Sequence, residues 1–396
     1  MLPSQTLLPP LWIYLPYVDE RAAGMQRFAS QMILALRRSG LSFQLLVGEV
    51  HGRPDWLAAV PHRVIFGPRV ARTLPRSVLA LGRVVWLQTV LPRILARSRG
   101  ATFVGLASEL VPFPSFRQIG VAHDLTDFKN FSERKGLAVL IKNGLWKAGL
   151  RRSEAVIAIS NATRKDIVDI FDINNSKIHV VYEGFDPQLF TPAKASRSKN
   201  ASPPYLLYAG TLDPHKNVGF LLEVFVKLRS RADGIRLKLV GRHDDKRVTM
   251  LRDTLPFALR EEVDFVGFVS DETLATMMRE CAAFVFPSRN EGFGLAPVEA
   301  MACGAPVLAS ASGSLPEVIG DGGVLLSPDD TQAWVDELTA LLTLPEHREQ
   351  LSKRALARSK AFSWDEAAEA FRLLLNPPVR AAASHNHESI EARDGT

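Results

Sequence analysis

The sequence predicts an α/β protein made of two doubly wound, Rossmann-like domains that face each other across a cleft. Its 396 residues exceed the roughly 250–300 residues at which a single hydrophobic core stops growing. Short apolar runs alternate with amphipathic stretches along the chain, which is the pattern of a parallel sheet covered by helices. A polar, proline-bounded segment, 187–204, interrupts this pattern near the middle of the chain and predicts a linker.

The first domain is expected over residues 1–186. Short apolar runs predict its strands, and a helix is expected where a longer amphipathic stretch follows one of them. In chain order we expect a strand over 11–15, a helix over 25–38, strands over 43–47, 119–122 and 155–159, a helix over 162–171 and a strand over 177–181. Ser160 has the position and the chemistry of an N-cap for the second of these helices.

The second domain is expected over residues 205–362, where the same alternation restarts. We expect strands over 205–209, 237–240, 263–265, 283–286 and 307–309, with helices that include 218–229 and 296–302. A C-terminal helix over 363–380 is expected to pack back towards the first domain. The tail, 381–396, is polar and is expected to be disordered because it has too little apolar surface to bury.

The composition, with 46% hydrophobic and 23% charged residues, is ordinary for a soluble globular enzyme. Cys281 and Cys303 stand in apolar surroundings without the spacing of metal ligands, which favours burial and a reducing, cytoplasmic setting. The N-terminus has no basic region followed by a long apolar run, so no signal peptide is expected. No run of about 18 apolar residues occurs, so no membrane-spanning helix is expected.

Basic charge is concentrated in the first half of the chain. Residues 1–190 contain 24 Lys and Arg against 14 Asp and Glu. Residues 61–100 hold no acid and eight arginines, which are Arg63, Arg69, Arg72, Arg76, Arg83, Arg93, Arg97 and Arg99. The apolar residues among them suit an anionic membrane surface, and equally a helix with a core face and a solvated arginine face. Nucleic-acid binding is not expected, because no binding motif accompanies the charge.

The segment 287–299, Pro-Ser-Arg-Asn-Glu-Gly-Phe-Gly-Leu-Ala-Pro-Val-Glu, follows an apolar strand and opens a helix. Such a junction places free N–H groups and the positive helix end where ligands bind in open α/β sheets. Gly292 and Gly294 let the backbone approach a ligand, and a phosphate is the natural occupant. Glu291 and Glu299 would repel a phosphate, so we interpret them as acceptors for sugar hydroxyls. A plain turn with a capping acid is the competing interpretation.

A second strand–helix junction, 208–217, has the sequence Tyr-Ala-Gly-Thr-Leu-Asp-Pro-His-Lys-Asn. Gly210 permits close approach, and Lys216 can neutralise a diphosphate as a point charge, although a lysine before a helix is otherwise simply solvated. Two further strands end in glycine, at Gly241 and Gly267, and both are explained equally well as buried strands with turns. The chain lacks Gly-x-Gly-x-x-Gly and a phosphate-loop Gly-Lys-Ser/Thr, which argues against dinucleotide and ATP sites.

These motifs resemble glycosyltransferase family 4, whose members are retaining enzymes of the two-domain GT-B fold. The family carries two glutamates separated by seven residues, as Glu291 and Glu299 are. The flanking residues 284–288, 300–310 and 313–323 resemble it as well. The resemblance implies that Glu299 holds the nucleotide ribose and Glu291 the donor hexose. It also implies that the diphosphate and sugar are cradled by the backbone of Gly292, Phe293, Gly294 and Leu295.

The resemblance extends to the other donor-site segments. It implies that Lys216 grips the diphosphate beside Gly210. Many relatives place an arginine where this chain has Thr211, so neutralisation would rest more on Lys216, with Arg242 beside Gly241 as a possible helper. The loop after the strand at 263–265 is implied to lie beside the nucleobase. Its expected contributions are backbone contacts around Val266 and Gly267.

In the first domain, the resemblance singles out His123, which ends a predicted strand. A histidine there is often a structural hydrogen-bonding group, but the family has one facing the reaction centre, where it orients the donor sugar. A neutral imidazole suits that role, and Asp124 could set its tautomer. Gly24 falls in the first loop, which resembles the family's acceptor and phosphate loop. Gly184 matches the turn before the linker and is interpreted as structural.

The resemblance also implies how the leaving group is stabilised and how the sugar keeps its configuration. Some transferases bind a metal through Asp-x-Asp to neutralise the leaving nucleoside diphosphate, but this chain has no such motif. We therefore expect no metal and no cofactor, with Lys216, backbone amides and a helix N-terminus stabilising the leaving group. Retention is expected through front-face attack within an ion pair, because no carboxylate is an obvious covalent nucleophile. Closure of the domains about 187–204 is expected to exclude water.

The donor and acceptor are also inferred from the resemblance. The segment 210–217 and the Cys-Gly-Ala-Pro segment look most like bacterial mannosyltransferases that use GDP-mannose, with UDP-glucose as the alternative donor. The expected acceptor is a polyprenyl-diphosphate-linked or other oligosaccharide, presented at the inner face of the cytoplasmic membrane. Two other classes stay open: a different GT-B enzyme, such as an epimerase or a phosphorylase, and a non-catalytic scaffold that binds sugar nucleotides.

Overall fold

The computed structural model describes residues 11–19, 24–52, 54–66, 73–74, 76–96, 100–107, 109–129, 137–193 and 203–375. The predicted tail, 381–396, lies outside the described residues. So do the last residues of the predicted C-terminal helix and residues 194–202 of the predicted linker.

The first domain is built on a seven-stranded sheet in which every neighbouring pair of strands is parallel. Its strands are β1 (Leu11–Asp19), β2 (Gln44–His51), β3 (His62–Val64), β4 (Thr102–Gly105), β5 (Arg117–Ala122), β6 (Ala155–Ala158) and β7 (Ile178–Val180). Their order is β3-β2-β1-β4-β5-β6-β7. The central strands are apolar on both faces because helices cover both sides of the sheet.

Helices flank this sheet on the segments between strands. They are α1 (Met25–Arg38), α2 (Asp55–Ala58), α3 (Arg76–Thr89), α4 (Leu91–Ala96), α5 (Leu137–Arg152) and α6 (Asn161–Phe171). The predicted N-cap of α6 is present, since the Ser160 hydroxyl accepts a hydrogen bond from the backbone N–H of Thr163. That bond satisfies one of the free donors at the start of the helix.

The second domain contains a six-stranded parallel sheet in the order β10-β9-β8-β11-β12-β13. Its strands are β8 (Tyr205–Ala209), β9 (Arg236–Val240), β10 (Val263–Gly267), β11 (Ala283–Phe286), β12 (Val307–Ser310) and β13 (Val324–Leu326). Its helices are α7 (Val218–Arg229), α8 (Asp245–Asp253), α9 (Asp271–Glu280), α10 (Leu295–Ala302), α11 (Leu315–Ile319), α12 (Thr331–Thr343) and α13 (Pro345–Ser359). Cys281 and Cys303 are buried free thiols in this domain, as predicted.

The predicted fold class, two doubly wound α/β domains, is confirmed. In each sheet the strand order reverses at its first strand, β1 or β8, which creates a switch point beside β4 or β11. Ligands of doubly wound sheets bind at such points, outside the carboxyl ends of the strands. The sequence did not predict β3, β4 or β13, because runs as short as His62–Val64, Thr102–Gly105 and Val324–Leu326 carry little periodicity.

A last helix, α14 (Trp364–Leu375), lies against the first domain. The Trp364 ring packs edge-on to Phe28 of α1, with ring centroids 5.7 Å apart. The Arg117 guanidinium donates to the carbonyl oxygens of the last two residues of α14. A Cβ on Gly184 would overlap the backbone of Trp364. Glycine is therefore needed at this position for packing, as predicted.

The arginine-rich stretch 61–100 divides into a buried part and an exposed part. Arg83 of α3 is buried and pairs with Glu49 and Glu109, because a buried guanidinium needs carboxylate partners. Both interpretations of this stretch, a membrane-facing surface and a helix with a solvated arginine face, place its arginines outside the core, and Arg83 departs from both. Arg63 and Arg93 are exposed. The side chains of Arg69, Arg72, Arg76, Arg97 and Arg99 lie outside what the structure describes.

The prediction of no membrane-spanning helix meets one exception among the described residues. Val78–Ala96, which comprises most of α3 and all of α4, is long and apolar enough to cross a membrane by length and composition alone. In this structure 28% of it is buried, and the ion pairs of Arg83 fix one of its faces to the first domain.

Candidate active site

Three glycines form one side of the cleft at the carboxyl ends of β8, β9 and β10. The backbone N–H of Gly210 donates to the Val240 carbonyl, and that of Gly241 donates to the Gly267 carbonyl, both at 2.9 Å. Gly241 has φ +139°, and a Cβ on it would overlap the Gly210 carbonyl oxygen. Only glycine fits such a contact. Gly210 therefore lies at the β8/β11 switch point, with Gly241 and Gly267 beside it.

The loop after β11 forms the other side of the same switch point. Gly294 has φ +100° and caps α10, which begins at Leu295. This left-handed turn directs the free N–H groups at the start of α10 towards the cleft. Phe293 is buried, and its ring packs against Phe362 at 5.5 Å and Tyr182 at 6.1 Å. Its side chain therefore serves packing, which leaves its backbone for a ligand.

Lys216 and Glu291, both predicted site residues, form a direct ion pair. The Lys216 Nζ atom lies 2.6 Å from Glu291 Oε1, and it also lies 5.6 Å from the centre of the Phe286 ring. Both side chains are shielded, with exposures of 16% and 10%. The pair places a cation where a diphosphate would meet the start of α10, with a hydrogen-bond acceptor beside it.

Glu299, the predicted ribose ligand, is buried on the first turns of α10 and is met by a residue from the other domain. The Arg27 guanidinium of α1 pairs with both Glu299 and Asp271. Burial raises the pKa of Glu299 to about 7, although the charge of Arg27 opposes the rise. The sequence gives no local signal for Arg27, because 272 positions separate it from Glu299.

His123 directly follows β5 and faces the second domain across the cleft. Its Nε2 atom lies 2.8 Å from the carbonyl oxygen of Leu106, so Nε2 carries the proton and Nδ1 is free to accept. Burial lowers the pKa of this imidazole, which keeps the ring neutral at physiological pH. The expectation that Asp124 sets the tautomer is wrong, since the Asp124 carboxylate accepts from the Thr126 N–H instead.

Glu183, after β7, is a third carboxyl group in the cleft. Its Oε1 atom lies 3.9 Å from His123 Nδ1, and the side chain is buried. Burial, together with the charges of Glu299 and Glu291, raises its pKa to about 8. The group is therefore a neutral carboxylic acid at pH 7. Nothing in the local sequence Tyr-Glu-Gly-Phe signalled this position.

The remaining predicted residues lie around this centre in different ways. The Thr211 hydroxyl donates to Asp213 at 2.6 Å and so is engaged within its own loop. Arg242 is half exposed, 4.0 Å from Asp19 at the end of β1. Val266 is 40% exposed, as a nucleobase contact would require. Gly24 has φ +64° and precedes α1 in the loop after β1.

Side-chain hydrogen bonds join the two domains beside the cleft. Glu317 of α11 accepts hydrogen bonds from the backbone N–H groups of Asn161 and Ala162 at the start of α6. Asn290 accepts from Lys129 at 3.0 Å and donates to Thr126 at 3.1 Å. Neither acceptor was predicted, because each partner lies more than 150 positions away.

Within the described part of the chain, no group of three or more His, Cys, Asp and Glu side chains is arranged to hold a metal ion. The groups available at the α10 end of the cleft include the carboxyls of Glu183, Glu291 and Glu299 and the cations Lys216 and Arg27. This set can bind an anion at the helix end and accept hydrogen bonds from hydroxyl groups beside it.

Comparison with known families agrees with the geometry. Residues 22–189 match the model described as Glycosyltransferase Family 4, and residues 190–358 match the one described as Glycosyl transferases group 1. The two parallel-sheet domains have the GT-B fold, and the two matched models identify the class of protein as a glycosyltransferase. Together the two matches extend over residues 22–358, which is most of the chain. The chain therefore belongs to glycosyltransferase family 4, as its motifs predicted.

Several curated relatives are bacterial mannosyltransferases. The chain is 29% identical over 307 residues to the serotype-specific mannosyltransferase WbdA of Escherichia coli, which covers 73% of this chain and 37% of that protein. It is 24% identical over 341 residues to the O-antigen chain mannosyltransferase RfbU of Salmonella typhimurium, covering 84% and 91%. The chain thus spans little more than a third of the length of WbdA.

Solved structures of low sequence identity share the fold. Sucrose-phosphate synthase from Thermosynechococcus elongatus superposes with a TM-score of 0.73 at 22% identity, covering 92% of this chain and 98% of that one. Anabaena HepE, solved in complex with UDP and glucose, gives 0.71 at 19% identity, covering 93% and 99%. WaaG, described as a glycosyltransferase of lipopolysaccharide biosynthesis, gives 0.70 at 15% identity, covering 93% and 100%.

Proposed function

We propose that this chain is a retaining α-mannosyltransferase that moves mannose from GDP-mannose to a lipid-linked or other oligosaccharide acceptor during polysaccharide synthesis. The observation that carries the proposal is the Lys216–Glu291 ion pair at the start of α10. It places a cation for a diphosphate and an acceptor for hexose hydroxyls side by side, at the switch point where α/β sheets bind ligands.

The choice of mannose rests on relatives that are named as mannosyltransferases, among them WbdA and RfbU. UDP-glucose is the alternative donor. HepE was solved with UDP-glucose, but at 17% identity that likeness concerns the fold. GDP-mannose is therefore the donor we propose.

The proposed chemistry places each polar group on one part of the donor. Lys216 and the N–H groups of residues 292–295 neutralise the leaving diphosphate, which removes the need for a metal. Glu291 accepts from the hexose hydroxyls and Glu299 from the ribose. The neutral His123 imidazole lies across the cleft from this loop and orients the hexose without adding charge to it.

Retention follows from the same arrangement. The acceptor hydroxyl attacks from the face that the diphosphate leaves, within an ion pair stabilised by Lys216. The departing phosphate oxygen takes the proton of that hydroxyl. The domain contacts made by Glu317 and Asn290 exclude water from the ion pair, which protects it from hydrolysis.

A lipid-linked acceptor requires access to a membrane, and α3 offers a surface for it. Val78, Leu81 and Val85 lie on one face of this helix and are 47%, 64% and 52% exposed. Exposed Arg63 and Arg93 belong to the same stretch of chain. Apolar side chains flanked by arginine favour the interface of an anionic bilayer. We therefore propose peripheral contact with the inner face of the cytoplasmic membrane through α3.

Turnover of defined donors tests the proposal. Purified protein is incubated in EDTA with GDP-mannose, UDP-glucose or UDP-galactose, with and without bacterial lipid extract as acceptor, and released nucleoside diphosphate is measured. We expect GDP release from GDP-mannose alone, stimulated by lipid extract and abolished in Glu291→Gln. Release of UDP instead would overturn the donor assignment. No release from any donor would overturn the transferase proposal and favour a scaffold that binds sugar nucleotides.

A further inference from the structure

Arg27 is the one residue of the first domain whose cation reaches the carboxylate proposed for the ribose, among the residues that the structure describes. It lies in the first turn of α1, three positions after Gly24, at the carboxyl edge of the first sheet. Its guanidinium pairs with Glu299 and Asp271 of the second domain, and the side chain is 21% exposed. Burial alone would lower the pKa of Arg27, but these carboxylates raise it.

Both glutamates of the family motif are thus held by cations in this structure. Lys216 holds Glu291 from within the second domain, and Arg27 holds Glu299 from the first. If the donor's hydroxyl groups take these carboxylates, as the proposed function requires, each cation loses a partner. A cation left without a carboxylate in a shielded site needs another anion.

The donor diphosphate is the anion within reach. Glu299 lies four residues after Leu295, which is about 6 Å along the helix axis at 1.5 Å per residue. A guanidinium resting on Glu299 is therefore about one helical turn from the N-terminus of α10, where we place the diphosphate. Thr211 brings no charge to this site, so neutralisation of the diphosphate from the second domain rests mainly on Lys216.

We propose that Arg27 is a donor-binding residue contributed by the first domain, which exchanges the Glu299 carboxylate for the donor diphosphate when the ribose binds. This inference rests on the proposed function, because it assumes the donor position given there. The exchange makes full diphosphate binding depend on both domains. The charge of the leaving group is then fully stabilised only when the cleft is closed.

The experiment compares nucleoside diphosphates with their nucleosides. Calorimetric titrations with GDP, guanosine, UDP and uridine, all in EDTA, are made on wild type, Arg27→Gln, Arg27→Lys and Asp271→Asn. We expect Arg27→Gln to weaken binding of the preferred diphosphate about 10-fold or more and to leave nucleoside binding nearly unchanged. Asp271→Asn is the matched control, since it frees Arg27 from one carboxylate and keeps its charge. It should bind the diphosphate at least as tightly as wild type.

Three results would overturn the inference. Equal weakening of diphosphate and nucleoside would mean that Arg27 only supports the fold of the cleft. Unchanged or tighter diphosphate binding in Arg27→Gln would mean that Arg27 only competes for Glu299. If wild type binds no nucleoside diphosphate, both this inference and the proposed function fail. The other two results overturn this inference alone. If Arg27→Gln does not fold, Arg27→Lys replaces it in the test. We then expect a smaller loss of diphosphate affinity. An unchanged affinity in Arg27→Lys would contradict the inference.

Discussion

The carbonyl oxygen of His123, in the first domain, occupies the space that a Cβ atom on Gly292 would need in the second domain. The Thr163 hydroxyl fixes this approach, since it lies within hydrogen-bond reach of the carbonyl oxygens of both residues, at 3.3 and 3.2 Å. The two domains therefore meet backbone to backbone beside the candidate catalytic centre. The absence of a side chain at Gly292 is therefore needed for this contact between the domains as well as for the approach of a ligand.

Replacing Gly292 with alanine should hold the two domains apart. We expect kcat to fall about 100-fold, because a misplacement of about 1 Å can cost that much, while GDP still raises the melting temperature. Gly144→Ala is the matched control, since Gly144 lies in α5 with open space around it. Wild-type kcat in Gly292→Ala would contradict the importance of this approach.

The buried Glu183 should make stability depend on pH. Its pKa, about 8 in the folded protein, is raised above the ordinary value of a carboxyl group in the unfolded chain. Between these two values the folded state binds more protons than the unfolded state, so stability should fall as the pH rises from about 5 to about 8.

Glu183→Gln removes this contribution. Wild type should lose unfolding free energy between pH 6 and pH 8.5. Over the same range Glu183→Gln should lose less, by more than about 1 kcal/mol, as measured by urea denaturation. The exposed Glu223, changed to Gln, is the control and should leave the pH dependence as in wild type. A wild-type pH dependence in Glu183→Gln would show that Glu183 ionises normally.

The core of the second domain depends on Trp334. This side chain is fully buried, packs edge-on to Phe220 at 5.8 Å, and donates from Nε1 to the Ser327 carbonyl at 2.9 Å. Trp334→Ala should cost about 3–5 kcal/mol of unfolding free energy. Phe257→Ala, at an 86% exposed position, should change it by less than about 0.5 kcal/mol. Equal effects in chemical denaturation would contradict the assigned core.

Membrane contact through α3 is tested by changing its exposed apolar face. Leu81→Glu combined with Val85→Glu should reduce co-sedimentation with vesicles of anionic phospholipid about 10-fold, because each change replaces an apolar anchor with a charge that the surface repels. Leu373→Glu is the control, as Leu373 is 56% exposed on α14, another helix. Equal vesicle binding by both variants and wild type would remove the proposed contact.

The fold could be predicted from sequence where the local pattern was strong. Met25–Arg38, Tyr205–Ala209 and Val218–Arg229 have the predicted bounds, because apolar periodicity and a clear end signal agree there. The β1 strand continues to Asp19, beyond its predicted end. Its later residues, Pro16 and Tyr17, break the apolar run, and pairing with β2 rather than local preference extends the strand.

The site could be predicted in part for the same reason. Glu291 and Glu299 share one local motif, and Lys216 stands in another, so a short stretch of sequence was enough to find each. Arg27 and Glu183 are different, because their environment is made by residues of the other domain. Burial and neighbouring charges, rather than residue type, set the protonation of Glu183. Such properties exist only in the folded chain.

Calorimetric titration of GDP-mannose in EDTA shows whether a nucleotide sugar binds at the Lys216–Glu291 pair. We expect one donor bound per chain and an affinity about 10-fold or more weaker in Lys216→Ala. Lys165→Ala, at a 76% exposed position, should bind as wild type does. Equal affinities in Lys216→Ala and wild type, or no binding by wild type, would rule out this donor site.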